Sequence, residues 1–236
     1  MKIKITFLLL LCTIFNFSQS ANADDLLIQI KNKLNEVNDY SVNVEVGINM
    51  DFLKMPKSKA QLFFKKPDKF KFNSTGFAIL PKAGVDFNPQ KILEFDHFSE
   101  IIGDTLLDGK NHKIVKIIPK ADTLKFASAT LLIDNIDLLI KEIKISAIKG
   151  AEITTKFKYD RSLQFALPSE LNINFDFTEL ADNDDKSKNK RSKMPSNFKG
   201  EISIKYSDYK VNLGIDDSIF EEEKIEASES EKKGNK

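Results

Sequence analysis

The stretch Tyr40-Ser41-Val42-Asn43-Val44-Glu45-Val46-Gly47-Ile48-Asn49-Met50-Asp51-Phe52 sets the fold class. From Val42 to Phe52 every even position is apolar and every odd position is polar or Gly. Side chains of an extended chain alternate between two faces, so this period of two predicts a long, half-buried strand in an antiparallel sheet with one wet face. Downstream, strands are expected at Ser58 to Lys65 and Lys69 to Asn73, either side of Lys66-Pro67-Asp68. Thr105 to Leu107 and Lys113 to Ile118 form a hairpin around Asp108-Gly109-Lys110-Asn111, which places His112 in a turn at the surface. Further strands fit Thr123 to Ile133, Leu138 to Ile148 and Glu152 to Tyr159. Alternation returns at Leu171, Ile173, Phe175 and Phe177, then at Ile202, Ile204 and Tyr206, with a last piece from Tyr209 to Asn212. Asn88-Pro89 opens a short helix through Leu93. The reading is mainly β, about ten antiparallel strands.

Upstream the period changes. Leu26, Leu27, Ile30, Leu34 and Val37 fall at helical spacing opposite Gln29, Lys31, Asn32, Lys33, Asn35 and Glu36. Asp24 or Asp25 is placed to cap this helix and Asn38-Asp39 to end it, giving a helix from Asp25 to Asn38. Before it, Lys2 and Lys4 precede an apolar run from Phe7 to Phe17 and the small-x-small site Ala21-Asn22-Ala23. That is a secretory signal, and its apolar run is shorter than the ~20 residues of a membrane-spanning helix. Cleavage after Ala23 is expected. Residues 1–23 are therefore set aside, 24–220 read as one domain, 181–197 as a charged loop within it, and 221–236 as a disordered charged tail.

Composition narrows the function. The chain has 36 Lys and Arg against 35 Asp and Glu, too balanced for a nucleic-acid surface. Its one Cys, Cys12, leaves with the signal, so neither a disulfide framework nor a Cys-based zinc site is expected. Asp182, Asp184 and Asp185 lack the Gly and Glu of a calcium loop, so no metal and no cofactor is expected. Asp96-His97-Phe98-Ser99-Glu100 is the best local catalytic cluster, but neighbours on a strand point to opposite faces, so it is no triad and the chain is read as a non-enzyme. What stands out is apolar: sixteen of the nineteen Phe follow the signal. About ten strands ~4.8 Å apart make a sheet about 48 Å wide, while a helix of about fourteen residues covers about 21 Å by 10 Å. Either the sheet folds over and fills its own interior, or it curls around an apolar cavity for a ligand. The sixteen Phe are expected on that concave face.

Phe63-Phe64-Lys65-Lys66-Pro67-Asp68-Lys69-Phe70-Lys71-Phe72 adds a further constraint. It resembles the strand–turn–strand of the LolA/LolB family of periplasmic lipoprotein carriers and outer-membrane receptors, in which a basic residue, a Pro and a Phe three positions later follow a helix and a long strand. Ile114 to Lys120, Ala129 to Lys144 and the closing Asp217 to Phe220 are similar to family segments in the same order. Gly76 to Lys82 departs from it, standing where the carriers have Asp-Gly-Lys. The resemblance implies a curved, incomplete antiparallel β-barrel closed by one or more helices over an apolar cavity that binds acyl chains. It places Lys66 at the position of the Arg that latches the helical lid, with one charged point where Arg has a planar fork.

The expected inward face then comprises Val44, Val46, Ile48, Met50, Leu62, Phe64, Phe70, Phe72, Ile173, Phe175, Ile202 and Ile204. The function implied is a soluble, monomeric periplasmic carrier of lipoprotein acyl chains or other lipid, passing cargo from an inner-membrane donor to an outer-membrane acceptor without chemistry. The alternative is an envelope sensor of the same fold that docks on a membrane-protein partner through the charged loop and tail. An apolar interior of several hundred cubic ångströms is the expectation under the carrier reading.

Overall fold

The computed structural model describes residues 22–74, 89–120, 126–147, 151–177 and 198–221. The expectations for the signal segment up to residue 21, for Gly76 to Lys82, for the loop 181–197 and for the tail beyond 221 fall outside these residues. The chain runs through helix α1 (Ala23–Leu34), β1 (Asp39–Met50), β2 (Leu53–Lys65), β3 (Lys69–Ser74) and a 3-10 turn (Pro89–Leu93). Seven strands follow: β4 (His97–Leu107), β5 (Lys110–Pro119), β6 (Phe126–Asp134), β7 (Leu139–Ala147), β8 (Glu152–Tyr159), β9 (Pro168–Asp176) and β10 (Lys199–Val211), before a C-terminal 3-10 turn, Asp217–Phe220.

All ten strands form one antiparallel sheet in the order β3-β2-β1-β10-β9-β8-β7-β6-β5-β4. The sheet is open, with β3 and β4 as its edges, and it is strongly curved. Flat, its β2 and β4 would lie about 38 Å apart, eight strand spacings. Yet α1, twelve residues and about 18 Å long, is tied to β4 at one end and to the β2–β3 turn at the other. Asp24 accepts a hydrogen bond from Ser99 of β4, and the Lys66 ammonium donates to the Asn35 carbonyl at 2.6 Å. The helix bridges the gap of an incomplete barrel.

The helix differs from its expected bounds at both ends. It starts at Ala23 because Asn22, not Asp24 or Asp25, is the cap: its backbone is extended and its side chain accepts from the Asp24 amide at 3.2 Å. It stops at Leu34, and Asn35-Glu36 turn the chain so that buried Val37 leads into β1. Asp39, expected to terminate the helix, instead sits buried at the start of β1 and accepts from the Leu213 and Gly214 amides, pinning the chain that leaves β10.

The strands follow the alternation, with local slips. The β4–β5 hairpin turns on Asp108-Gly109 alone, both at positive φ as a two-residue turn of this hand requires, so Lys110 and Asn111 belong to β5 and β4 reaches back to His97. The two pieces expected after Ile202 are one strand. Asp208, at φ 58°, lies in a register slip opposite Ser41 to Asn43, which puts Tyr206 and Tyr209 on one face although they are three apart. Pro56 lies where β2 slips past Val46 to Ile48, a position that does not ask it for a ladder hydrogen bond. Gly200 is required by close approach: a Cβ there would sit 2.7 Å from Met50 Cγ and 3.2 Å from Met50 Cα.

Candidate functional site

The cross-strand register places all twelve expected inward residues on one face. Val44 faces Tyr206, Val46 faces Ile204, Ile48 faces Ile202, Leu62 faces Phe72, Phe64 faces Phe70, and Ile202 and Ile204 face Ile173 and Leu171. Met50 and Phe175 both meet Gly200. Val44, Val46, Leu62, Ile173, Ile202 and Ile204 are buried, and Ile48, Met50, Phe70, Phe72 and Phe175 pack half-buried against them. Most of these residues make a packed core. Val115, Ile117, Ala129, Leu131 and Ile133 from β5 and β6 continue it, and Leu26, Leu27 and Ile30 of α1 seal it. The sheet thus largely fills its own interior.

Among the described residues a void lies within this core, and it is smaller than expected. It measures about 80 Å³ where several hundred were expected, because side chains from ten strands and α1 meet across the curve. It lies where the helix ends. Leu34 and Val37 line one side, Tyr40, Leu62, Phe64 and Phe70 of β1 to β3 another, and Leu171, Tyr206 and Tyr209 of β9 and β10 a third. Pro89 and Gln90 of the first 3-10 turn and Ala166 to Pro168 complete it. Of the twelve expected inward residues only Leu62, Phe64 and Phe70 reach it.

No tyrosine is among the twelve expected inward residues, yet tyrosine lines the void. All four Tyr of the chain, Tyr40, Tyr159, Tyr206 and Tyr209, pack on the core, and three line the void. Tyr40 stands 5.2 Å from Phe64 and 5.7 Å from Tyr209, and Tyr206 stacks on Tyr209 at 6.0 Å. Tyr209 donates to the Pro168 carbonyl and Tyr159 to the Ile140 carbonyl, each at 2.8 Å. Burial pushes the Tyr159, Tyr206 and Tyr209 hydroxyls up, so all three stay protonated donors. Conversely, Phe does not keep to the concave face: Phe98 is 64% exposed on edge strand β4, where Lys120 lies over its ring at 4.9 Å, and Phe52 is exposed at the β1–β2 turn.

Polar groups close the void at the helix end. Besides the Lys66 ammonium on the Asn35 carbonyl, the Gln90 amide donates to Asn35 Oδ1 at 3.0 Å, and the Lys66 amide donates to the Asn38 carbonyl at 2.8 Å. A cation at a helix C-terminus also meets the negative end of the dipole. Lys33 ties the same turn of helix to the Asp137 carbonyl at 2.6 Å. The β2–β3 turn is held in place by the C-terminal 3-10 turn, whose Asp217 pairs with Lys65 at 2.6 Å and Lys69 at 2.9 Å.

The two histidines are elsewhere. His97 binds the Phe95 carbonyl at 2.7 Å, and Ser99 is engaged by Asp24. His112, expected in a surface turn, is 2% exposed: β5 begins earlier than the turn signal implied, and the ring lies beside Asp134 with Nε2 4.0 Å from the carboxylate. Two open grooves of about 760 and 610 Å³ run along the outer face, lined by residues such as Asn43, Glu45, Lys59 and Lys205 or Lys54, Glu152 and Glu201, a polar surface of both signs.

No family model matches the chain, and no curated protein matches it. Solved structures do. A domain assigned to outer-membrane lipoprotein sorting from Vibrio parahaemolyticus is 11% identical, covers 84% of this chain and 97% of its own, and superposes with a TM-score of 0.57. A LolA superfamily protein from Nitrosomonas europaea is 11% identical over 86% of this chain and 99% of its own, with a TM-score of 0.53. A DUF1329 family protein from Desulfovibrio piger is 12% identical over 84% and 95%, with a TM-score of 0.54. Likeness at this identity speaks to architecture: the chain has the LolA-like fold, an open, curved ten-stranded antiparallel sheet bridged by a single helix among the described residues.

Proposed function

We propose that the chain is a periplasmic lipid carrier that takes up acyl chains beneath α1. The observation that carries this reading is the void at the helix end, apolar on three sides and shut by hydrogen bonds from long side chains, Lys66 and Gln90, instead of by packed strands. At about 80 Å³ it is well below the ~300–1,000 Å³ of ligand pockets, so uptake requires the end of α1 to lift. The bonds that hold it are few and reversible, each with a net worth of about 0.5–1.5 kcal/mol, or up to about 3 where the donor is charged. The resemblance around Lys66-Pro67 and the folds of the lipoprotein-sorting and LolA superfamily neighbours support lipoprotein acyl chains as cargo. Export by a signal cleaved after Ala23 would place the mature chain between an inner-membrane donor and an outer-membrane acceptor. Lys66 would serve as the latch of the lid.

The test is direct. Protein purified from its native compartment without detergent should yield extractable lipid by mass spectrometry, or take up a fluorescent acyl probe at about one per chain. A protein that carries no lipid and takes up no probe, with the void still closed by hydrogen exchange, rejects the carrier.

A further inference from the structure

The outer face of β10, β1, β2 and β3 carries a pattern that neither the core nor the void uses. Ser207 lies opposite Asn43, Asn43 opposite Gln61, and Gln61 opposite Asn73, one row across four strands, about 14 Å long at ~4.8 Å per strand. All four are exposed, and they line the outer groove of about 760 Å³, within the ~300–1,000 Å³ of ligand sites. Asn is a poor strand former, and the wet face of β7 to β9 is instead laced with ion pairs such as Lys144 with Glu152 and Lys158 with Glu170. Here the polar groups are left open. Asn43 donates to Asp208 at 2.9 Å and keeps its Oδ1, while the side chains of Gln61, Asn73 and Ser207 make no hydrogen bond among the described residues. Two further rows flank this one. On one side Lys59 and Lys205 lie opposite Glu45, which Lys57 already holds at 2.9 Å, so neither of the two is in an ion pair among the described residues. On the other side Phe63 stands opposite Ser41 and Lys71. It follows buried Leu62 on β2 and so turns outward, where no other ring meets it among the described residues.

We propose that this groove binds a glycan strand of N-acetylated sugars bearing carboxylates, laid across the four strands. A side-chain amide joins donor and acceptor on one flat group, as an acetamido group does, so the two bond reciprocally. A row that repeats at the strand spacing meets successive sugar rings, because the advance per ring of a β-linked glycan is close to it. The apolar C–H face of one ring would rest on Phe63, and Lys59 and Lys205 would meet the carboxylates. Asp208 and Glu45 line the same groove, held by Asn43 and Lys57, so the field there suits a sparsely charged chain and not a polyanion. The site is on the face opposite the void and does not depend on lipid. Export as proposed above would bring it to a cell-wall glycan of this chemistry.

The experiment titrates the purified protein with three soluble oligosaccharides of equal length. One is a cello-oligosaccharide without acetamido groups, one a chito-oligosaccharide with them, and one a wall-derived oligosaccharide with both acetamido groups and carboxylates. Affinity should rise in that order. Gln61→Ala, at an exposed position, should melt as wild type does and bind the two acetylated ligands about threefold to tenfold more weakly. Lys59→Gln combined with Lys205→Gln should erase the advantage of the wall-derived ligand and leave the chito-oligosaccharide unchanged. Acyl-probe uptake should be the same in all these variants as in wild type, so the groove and the void are judged separately. Cello- and chito-oligosaccharides bound equally, full affinity in Gln61→Ala, or binding of polyglutamate or phosphatidylglycerol vesicles as tight as that of the wall-derived ligand overturns the glycan site. So does failure to bind any of the three, and each of these results leaves the carrier standing.

Discussion

Asp217 shows how a single carboxylate organises the site from outside it. Hydrogen bonds from Lys65 and then Lys69 hold its carboxyl down to about 2. A carboxylate depressed on folding stabilises the native state above its unfolded value, about 3.9, and that contribution fades as the pH falls from there toward 2. The melting temperature of the wild type should therefore drop between pH 4 and pH 2 more steeply than that of Asp217→Asn. Equal slopes would mean that the pairs seen at 2.6 and 2.9 Å contribute nothing in solution. Lys66 gives a second residue-scale prediction. Lys66→Ala removes the donor on Asn35, so amides of the last turn of α1 should exchange about tenfold faster, and acyl-probe uptake should quicken. Lys66→Arg should restore protection, and an Ala variant as protected as wild type would retire the latch. These positions were legible because each is a local motif, a Lys-Pro turn and an Asp-x-x-Phe. Tyr209 was not, since its place on the same face as Tyr206 depends on a register slip at Asp208 that no alternation count foresees.

The helix is the element where reading and structure part most instructively. Its apolar stripe was plain, and Leu26, Leu27 and Ile30 are buried as that spacing requires. Its start was not, because Asn22 belongs at once to a cleavage site and to a cap, and the sequence pattern weighs only the first. The overlap makes a prediction. Loss of an Asn cap costs about 0.5–2 kcal/mol, so Asn22→Ala should destabilise a chain that retains residue 22 by that amount in urea melts. In exported protein cut after Ala23 the cap is gone, and the substitution cannot matter. Terminal sequencing of the exported form, together with melts of chains beginning at Asn22 and at Asp24, separates the cases. Strand existence was similarly legible from period two, while strand ends were not. Asp108-Gly109 makes the tightest hairpin and gives the residues on either side to the ladder, which is how His112 came to be buried.

For the whole molecule the decisive quantity was volume, which no linear pattern carries. The width of the sheet could be computed, but whether its interior is full depends on how side chains from all ten strands interdigitate. The core they form should behave as a packed one. Ile173→Ala and Leu131→Ala, at fully buried positions, should each cost about 2–5 kcal/mol by denaturant titration. Phe70→Ala, beside an existing void and half-buried, should cost less than the ~3–5 kcal/mol of a fully packed Phe. The strand order has a further consequence, and it is kinetic. The β1–β10 seam, where Val46 meets Ile204, lies inside the sheet and joins its first strand to its last, so the first strand made at the ribosome finds its second neighbour only when the last has been synthesised. Long-range pairing of this kind is slow, and until it forms the apolar face of β1 to β3 has nothing to close over it. Export as proposed above would profit from this delay, because a chain that closes late is still threadable while it crosses a membrane.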